Sequence, residues 1–394
     1  MKSFDVAIIG LGTMGSMTAL ELASRRVSVV GLDQFAPPHD RGSHSGETRI
    51  FRVAYYEHPN YTPLAQRSGV LWDRLGEEAG TRLLNRSGLL SMGTEENEII
   101  RGIRASARLH DLAVESLSAA EIRKQFPALN PPDDFVGLLE RKAGWIDVDQ
   151  SIQVVLAKAR SLGVQMELNN SALEWKTDNR QVLVKTRTEQ FIAQKLVITA
   201  GAWSYQVLRE LSLPLILRRK VLVWIDPIVP EHFKPGALPT FAFSPNFFYG
   251  FPNIGTRGVK VAEHAGGISV QDPADPIAPP GEADLAPLLK AASEFLPSLV
   301  GPPPGDSARV IRAKTCFYTM TPDEHFIIDQ HPRFENVFFA AGFSGHGFKF
   351  SPLVGEVLAD LALEGKTALP IEFLRLNGRF TWRDPRALNH EGHE

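Results

Sequence analysis

Apolar residues recur along the chain with two different periods, and each period predicts a type of element. The run Val6 to Ile9 is typical of a buried parallel strand, a helical stretch follows it, and Val27 to Asp33 predicts a second strand. A short helix is expected after a cap at Ser118. Longer helices are predicted over Thr62–Leu75, Asp149–Ser161, Glu282–Phe295 and Pro352–Leu363.

Short apolar and aromatic runs predict the remaining strands, most of them in the second half of the chain. They are Val164–Leu168, Ala172–Trp175, Val182–Thr186, Phe191–Thr199, Val221–Ile225, Thr240–Phe243, Phe247–Phe251, Val259–Ala262, Val310–Tyr318 and Asn336–Gly342. Those between Leu215 and Tyr318 are expected to be antiparallel, and the others return the chain to an α/β lobe.

The order of these elements predicts a mixed α/β fold with two lobes. A Rossmann-type nucleotide-binding lobe is built from three chain segments, and a β-rich substrate lobe is inserted between them. The expected nucleotide-binding lobe covers residues 1–85, 146–214 and 319–385. The expected substrate lobe covers residues 86–145 and 215–318.

The first strand and helix carry a glycine motif for a dinucleotide. Gly10 and Gly12 permit a tight turn against a pyrophosphate, and Gly15 permits close helix packing. Asp33 ends the second strand at about the spacing where an acid accepts the ribose hydroxyls of an adenosine. Because the strand, the helix and the acid are all present, the motif predicts a bound dinucleotide rather than an empty glycine turn.

Composition limits the partners and the compartment. The 394 residues carry a net charge of −3 and no long basic run, which argues against binding to nucleic acid or to a membrane surface. The first residues have the pattern of a strand and helix and not of a signal peptide. One cysteine and eleven histidines show neither a disulfide nor a zinc spacing, so we expect no metal and a cytoplasmic location.

Further strings of small and charged residues stand at the ends of predicted elements. The polar loop Gln34 to Thr48 is too long for a plain connection, and Lys195 to Trp203 is an apolar strand that ends in small residues at Gly201. Three strings are more specific: Gly42-Ser-His-Ser-Gly-Glu-Thr-Arg-Ile-Phe-Arg52, Lys314-Thr-Cys-Phe-Tyr318 with the residues up to Asp329, and Gly342-Phe-Ser-Gly-His-Gly-Phe-Lys349.

In this order behind the glycine motif, the three strings resemble the monomeric sarcosine oxidase family, which belongs to the D-amino acid oxidase superfamily and includes N-methyltryptophan, pipecolate and fructosyl amino acid oxidases. The resemblance covers about residues 4–375 and implies a monomer that binds FAD. It implies attachment of the flavin 8α-carbon to the sulfur of Cys316. It also implies oxidation of secondary amino acids with oxygen as acceptor, which yields hydrogen peroxide.

The resemblance assigns roles to individual residues. Those matching Arg52 and Lys349 hold the substrate carboxylate, and the one matching Arg49 lies beside the flavin. Tyr249 matches a tyrosine that faces the substrate, Lys260 a lysine that activates oxygen, and His264 a histidine on the substrate side; Tyr318 completes the catalytic set. The cofactor-binding residues are expected to be Gly10, Gly12, Gly15, Asp33, Ser43, Thr48, Gly201, Cys316, Gly345, Gly347 and Lys349.

The sequence departs from the family at one point and leaves alternatives open. The family often has His-His-Gly-Asp before its arginine pair, whereas this chain has His44-Ser45-Gly46-Glu47, so a polar group near the flavin is changed. The identity of the secondary amine therefore stays open, with pipecolate, proline and fructosyl amino acids as alternatives. An NAD-linked dehydrogenase and a binding module without activity are the alternatives from other classes.

Overall fold

The computed structural model describes residues 2–380 except 245, 256, 276, 306 and 377, and within them it has twenty strands and nine α-helices. The strands are β1 (Lys2–Ile9), β2 (Val29–Leu32), β3 (Thr48–Phe51), β4 (Leu84–Asn85), β5 (Leu89–Thr94), β6 (Glu115–Ser118), β7 (Phe135–Glu140), β8 (Gly144–Asp147), β9 (Gln165–Glu167), β10 (Glu174–Thr177), β11 (Val182–Lys185), β12 (Gln190–Ile198), β13 (Ile216–Asp226), β14 (Thr240–Phe243), β15 (Phe248–Gly250), β16 (Val259–Glu263), β17 (Ile268–Val270), β18 (Arg309–Met320), β19 (Ile327–His331) and β20 (Phe334–Ala341). The helices are α1 (Thr13–Ser24), α2 (Tyr61–Glu78), α3 (Glu98–Leu109), α4 (Ala119–Gln125), α5 (Val148–Ser161), α6 (Ser204–Val207), α7 (Glu282–Phe295), α8 (Pro297–Val300) and α9 (Ser351–Glu364).

The first sheet is the mixed sheet that contains β1. Its strands run β10-β11-β12-β1-β2-β9, and β20 also pairs with β12 and carries β19. The pairings of β1 with β2 and β12, of β2 with β9 and of β12 with β20 are parallel. Val6 and Ile8 pack into a core with α1, α5 and α9, while Ala7 and Ile9 pack into a core on the other face. Burial on both faces explains the continuous apolar run.

The second sheet runs β17-β13-β16-β15-β14-β5-β7-β6, and β18 pairs with β13. One face packs against α7, with Phe241 and Phe243 in that core. The opposite face carries Trp224, Cys316 and Tyr318. A third sheet, β3-β8-β4, holds Arg49 in register with Ile146.

The structure confirms the predicted fold class and most predicted elements. The helix expected over Glu282–Phe295 has those bounds, and Ser118 caps α4 with a reciprocal hydrogen-bond pair to Glu121. Strands β3 to β8, β17 and β19 lie outside the individual strands predicted above. The strands between Leu215 and Tyr318 pair antiparallel with one another, but β14 also pairs in parallel with β5.

Residues 381–385, the last of the segment assigned to the nucleotide-binding lobe, lie outside the described residues. Among the helices that the structure describes, none is both long and apolar enough to cross a membrane.

Candidate active site

The turn between β1 and α1 is shaped by three glycines with different surroundings. Gly10 has φ +96°, and a Cβ there would lie 2.5 Å from the carbonyl oxygen of Thr199. A Cβ at Gly15 would lie 1.8 Å from the carbonyl oxygen of Gly10, so the helix can pack this closely only with glycine. At Gly12 the nearest atom would be 3.9 Å away, in the ring of His44. The space above Gly12 at the N-terminus of α1 therefore suits a phosphate.

Asp33 follows the end of β2 and is held by two backbone groups. Its carboxylate accepts hydrogen bonds from the N–H groups of Leu11 and Phe35, each at 2.8 Å. Burial raises the pKa of Asp33 to about 6, and these two hydrogen bonds oppose the rise. Near neutral pH the carboxylate is available to accept hydrogen bonds from a ribose.

A cavity of about 330 Å³ joins these features. Its lining includes Gly10, Gly12, Asp33, Ser43, Gly201, Gly345 and Gly347, all of which were expected as cofactor contacts. Gly201 has φ +54°, and a Cβ there would meet no atom within 4 Å. The open glycines, the helix N-terminus and the carboxylate together fit a dinucleotide such as the FAD that the resemblance implies.

Arg49 lies where this cavity meets a second one. Its guanidinium donates to the carbonyl oxygens of Ser43 at 2.8 Å, Ser45 at 2.6 Å and Thr48 at 2.8 Å. These three carbonyls fix the orientation of the cation. Thr48, which the resemblance assigns to cofactor binding, is absent from the described lining of either cavity.

The second cavity measures about 50 Å³ and contains most of the residues predicted to bind the substrate. Its lining includes Arg49, Arg52, Tyr249, His264, Tyr318 and Lys349. Arg49, Tyr318, Gly345 and Phe348 line both cavities. The two cavities are therefore adjacent and share these four side chains or backbones as a common wall.

Arg52 is buried in this small cavity with one acidic partner. Its Nη2 forms an ion pair with Glu57, and its guanidinium lies 3.9 Å from the ring centre of Tyr55 and 4.6 Å from that of Tyr56. Glu57 raises the pKa of Arg52 against the effect of burial, so the arginine stays charged. Its Nη1 and the Oε2 of Glu57 find no hydrogen-bond partner among the described residues.

Lys349 also keeps a free donor. Its ammonium donates to the Tyr55 hydroxyl at 2.9 Å and to the His346 carbonyl at 2.7 Å, and its third hydrogen has no acceptor in the described part of the chain. Burial, followed by the charge of Arg52, holds the pKa of Lys349 well below its ordinary value. An anion bound in the cavity would restore that pKa.

A chain of hydrogen bonds fixes Lys349. Because an ammonium can only donate, the Tyr55 hydroxyl accepts from Lys349 and must give its own hydrogen to Nδ1 of His346, 3.0 Å away. His346 therefore carries its hydrogen on Nε2, which donates to the Glu324 carbonyl at 3.0 Å. Burial lowers the pKa of His346 well below the ordinary histidine value, which keeps this tautomer neutral.

The cations at this site are incompletely paired. Arg52 pairs with the carboxylate of Glu57, while the nearby buried carboxylate of Glu140 accepts from the backbone N–H groups of Val53 and Ala54. Arg52 Nη1 and a protonated Lys349 each keep an unused donor. A buried charge without a partner is unfavourable, so the arrangement favours an anion with two acceptor oxygens. A carboxylate has this charge and shape.

The aromatic and imidazole groups of the small cavity are uncharged. His264 lies 3.4 Å from the Tyr318 hydroxyl through its Nδ1, and burial lowers its pKa to about 3. Burial raises the pKa of Tyr249 and takes that of Tyr318 well above 10.0. At neutral pH these groups can form hydrogen bonds but carry no charge.

Lys260 and Cys316 are not among the described lining residues of either cavity. The Lys260 ammonium donates to the Gly46 carbonyl at 2.7 Å and to the carbonyl and hydroxyl of Thr48 at 2.8 and 3.1 Å. Cys316 is buried, and burial raises the pKa of its thiol. Two residues along β18, Tyr318 reaches the cavities from the same face of the sheet.

Four residues of the site were missed in the sequence, namely Tyr55, Tyr56, Glu57 and His346. The string Tyr55-Tyr56-Glu57 directly after Arg52 was an available signal, because an acid close to a buried arginine is a natural partner. Of the aromatic strand residues, Phe247 lines the small cavity and Phe317 the large one, while Phe248 packs in the core.

Comparisons with known proteins show the family of this chain. A profile of the family described as FAD dependent oxidoreductase matches residues 5–361. Monomeric sarcosine oxidase from Streptomyces avermitilis is 37% identical over 395 residues, which cover 98% of each chain. N-methyl-L-tryptophan oxidase from Yersinia pestis is 30% identical over 95% of this chain and 98% of its own. The family match supports FAD and not the NAD-linked alternative.

A solved structure supports the fold. NikD, an amino acid oxidase essential for nikkomycin biosynthesis, superposes with a TM-score of 0.83 at 23% identity. The superposition covers 97% of this chain and all of the NikD chain.

Proposed function

Because the chain belongs to the family of FAD-dependent oxidoreductases, we propose that it oxidises N-methyl or other secondary α-amino acids, as sarcosine oxidase does, with oxygen as acceptor. The products are an imine, which water hydrolyses, and hydrogen peroxide. The observation that supports this proposal is the pair of unused donors, on Arg52 Nη1 and Lys349 Nζ, in a small cavity that shares lining residues with the nucleotide cavity.

The substrate carboxylate is assigned to Arg52 and Lys349. Its two oxygens would satisfy both donors. Glu57 competes for Arg52, and Tyr55 holds Lys349 in place. The amine of the substrate is then left on the side of the cavity that Arg49, Tyr318 and Gly345 share with the cofactor cleft.

FAD supplies the two-electron oxidation of the amine and the reaction with oxygen. The residues that would hold it are Gly10, Gly12, Gly15, Asp33, Ser43, Thr48, Gly201, Gly345, Gly347 and Lys349, with Cys316 as the covalent attachment. Gly12 and Gly201 support this assignment, because each leaves open space where another residue would have a Cβ. The lobe formed by residues 1–85, 146–214 and 319–385 is assigned to the cofactor, and the lobe formed by 86–145 and 215–318 to the substrate.

His264, Tyr249 and Tyr318 are proposed to contact the substrate as uncharged groups. His264 and Tyr249 can position the amine through hydrogen bonds, and Tyr318 can do so at the junction of the cavities. The cation of Arg49 favours negative charge that develops beside it. Lys260 is assigned to the reaction with oxygen.

The chain is expected to act as a monomer, and its single cysteine fits the reducing cytoplasm.

A peroxide-coupled screen tests the proposal. The purified protein should be yellow, and it should release hydrogen peroxide with at least one of sarcosine, N-methyl-L-tryptophan, pipecolate, proline or a fructosyl amino acid. A colourless protein that reduces NAD with such a substrate would instead establish the dehydrogenase alternative. A yellow protein that releases peroxide with none of them would reject the substrate class.

A further inference from the structure

The small cavity has an aromatic wall that begins at the carboxylate-binding arginine. The guanidinium of Arg52 lies over Tyr56, the Tyr56 ring centre is 6.1 Å from that of Phe247, and the Phe247 ring centre is 5.8 Å from that of His264. All four side chains line the cavity. A substrate whose carboxylate meets Arg52 and whose amine lies near Arg49 and Tyr318 can therefore place its side chain or N-substituent along Tyr56 and Phe247.

The space beside this wall is small. A cavity needs roughly 10–15 Å³ to hold one water-sized group. The volume of about 50 Å³ consequently admits only a few such groups. So narrow a space favours an amino acid with a methyl-sized substituent over one with the bicyclic side chain of N-methyltryptophan.

Phe247 occupies an unusual backbone conformation at this wall. Its φ is +52°, in the left-handed region, which is strained for a bulky side chain. Its neighbour Asn246, a residue type that tolerates this region, is exposed instead. The Phe247 carbonyl accepts from the His264 N–H at 3.1 Å, which fixes the strained residue against the site. Strain held at a cavity wall points to a functional requirement for the side chain.

The direction of the ring supports the same conclusion. Phe248, the next residue, packs into the core under α7, whereas Phe247 joins Tyr249 on the face of the cavity. We propose that Phe247, backed by Tyr56, is the specificity-determining residue that limits the substrate to secondary amino acids with small substituents. This inference rests on the proposed function.

The test compares turnover of a small and a large substrate by the holoenzyme. We expect kcat/KM to be at least about 10-fold higher for sarcosine than for N-methyl-L-phenylalanine, and Phe247→Ala to lower this ratio by about 10-fold or more, mainly through KM for the large substrate. Phe247→Gly should do the same, and it keeps the backbone unstrained because glycine adopts positive φ readily. Phe248→Ala, which removes the neighbouring ring from the core, should leave the ratio unchanged.

Titration of the flavin absorbance with acetate and with indole-3-acetate measures size selection without turnover. If the proposed function fails, no amine is oxidised, but the wild-type protein should still prefer acetate and Phe247→Gly should still gain affinity for indole-3-acetate. An unchanged preference in both Phe247 variants, in turnover or in titration, overturns the inference. Equal use of both substrates by the wild-type enzyme also overturns it.

Discussion

Arg52 and Glu57 form a buried ion pair in which one atom on each side, Nη1 and Oε2, lacks a hydrogen-bond partner among the described residues. The pair is therefore incompletely satisfied, and a carboxylate that reaches Nη1 can compete with Glu57 for the same guanidinium. Cation–π contacts with Tyr55 and Tyr56 hold the guanidinium while this exchange takes place.

Arg52→Ala should raise KM for the substrate, because it leaves a buried carboxylate without its partner. The expected rise corresponds to a loss of about 2–5 kcal/mol in apparent binding free energy. Glu57→Gln should shift KM in the opposite direction, since it removes the competing charge. Steady-state peroxide assays measure both effects. Arg67→Ala is the control, because Arg67 pairs with Glu356 away from the described lining of the two cavities. An unchanged KM for Arg52→Ala with an intact flavin spectrum would move the carboxylate to Lys349 alone.

Lys349 should make carboxylate binding depend on pH. Only the ammonium form attracts a carboxylate, and burial holds the pKa of Lys349 well below 10.5. Affinity is therefore retained at low pH and lost as pH rises through this depressed pKa. Titration of acetate, followed by flavin absorbance between about pH 6 and about pH 10, measures the loss.

Two variants separate the charge of Lys349 from its position. Lys349→Met should bind acetate weakly and without this pH dependence. Tyr55→Phe removes the hydroxyl that orients the ammonium, so it should weaken acetate binding and move the pH at which affinity is lost. The prediction fails if Lys349→Met keeps the same pH profile as the wild-type protein.

The sequence predicted those parts of the fold that local pattern determines. The run Val6–Ile9 has both faces buried, and Ser118 with Glu121 forms a cap within four consecutive residues, so both could be recognised from neighbouring residues. Strand β17 is short and mostly exposed, and β3 lies at the end of a polar loop, so neither has a strong apolar pattern. Their pairing partners, β13 and β8, decide their conformation.

The site shows the same division between local and distant information. The glycine turn could be recognised from its own short motif, and the resemblance of a second short string identified the two arginines. Tyr55 and His346 are 291 residues apart in the chain, and their hydrogen bond exists only because the fold brings them together. The residues next to Tyr55 and His346 in the sequence do not indicate that either one positions Lys349.

Asp33 should make the affinity for FAD depend on pH in the opposite sense. Its carboxylate accepts hydrogen bonds when ionised, and burial places its pKa at about 6. In a Cys316→Ala background, where FAD is held without a covalent bond, the dissociation constant should rise as pH falls from about 7 to about 5. Asp33→Asn should bind FAD about 10- to 100-fold more weakly, because it loses a hydrogen bond to a charged group, and should show no such pH dependence. Equal pH profiles with and without Asp33 would contradict its role.

Cys316 is the only thiol of the chain, so the attachment of the flavin has one candidate sulfur. Burial raises the pKa of this thiol, and the charges of Arg49, Lys260 and Lys220 oppose that rise only in part. Acid-precipitated wild-type protein should stay yellow, and a peptide containing Cys316 should carry the mass of FAD. Cys316→Ala should release its flavin into the supernatant. Complete release from the wild-type protein would exclude the covalent bond.

The buried ammonium of Lys260 has two possible roles, one structural and one in the reaction with oxygen. Its hydrogen bonds to Gly46 and Thr48 tie the loop before Arg49 to β16, which is a structural role that needs no cofactor. A fixed cation beside the flavin would instead stabilise the negative charge that develops when an electron reaches oxygen, whereas oxidation of the amine develops no such anion. The two roles predict different kinetics.

If Lys260 acts on oxygen, Lys260→Met should slow the reaction of the reduced enzyme with oxygen by about 100- to 1,000-fold, while anaerobic reduction by the substrate changes far less. Stopped-flow mixing measures the two half-reactions separately. Lys195→Met is the control, because the Lys195 ammonium donates to the Ala362 carbonyl and is absent from the described cavity linings. Equal slowing of both half-reactions would show that Lys260 positions the loop of Arg49, and the assignment to oxygen would then be wrong.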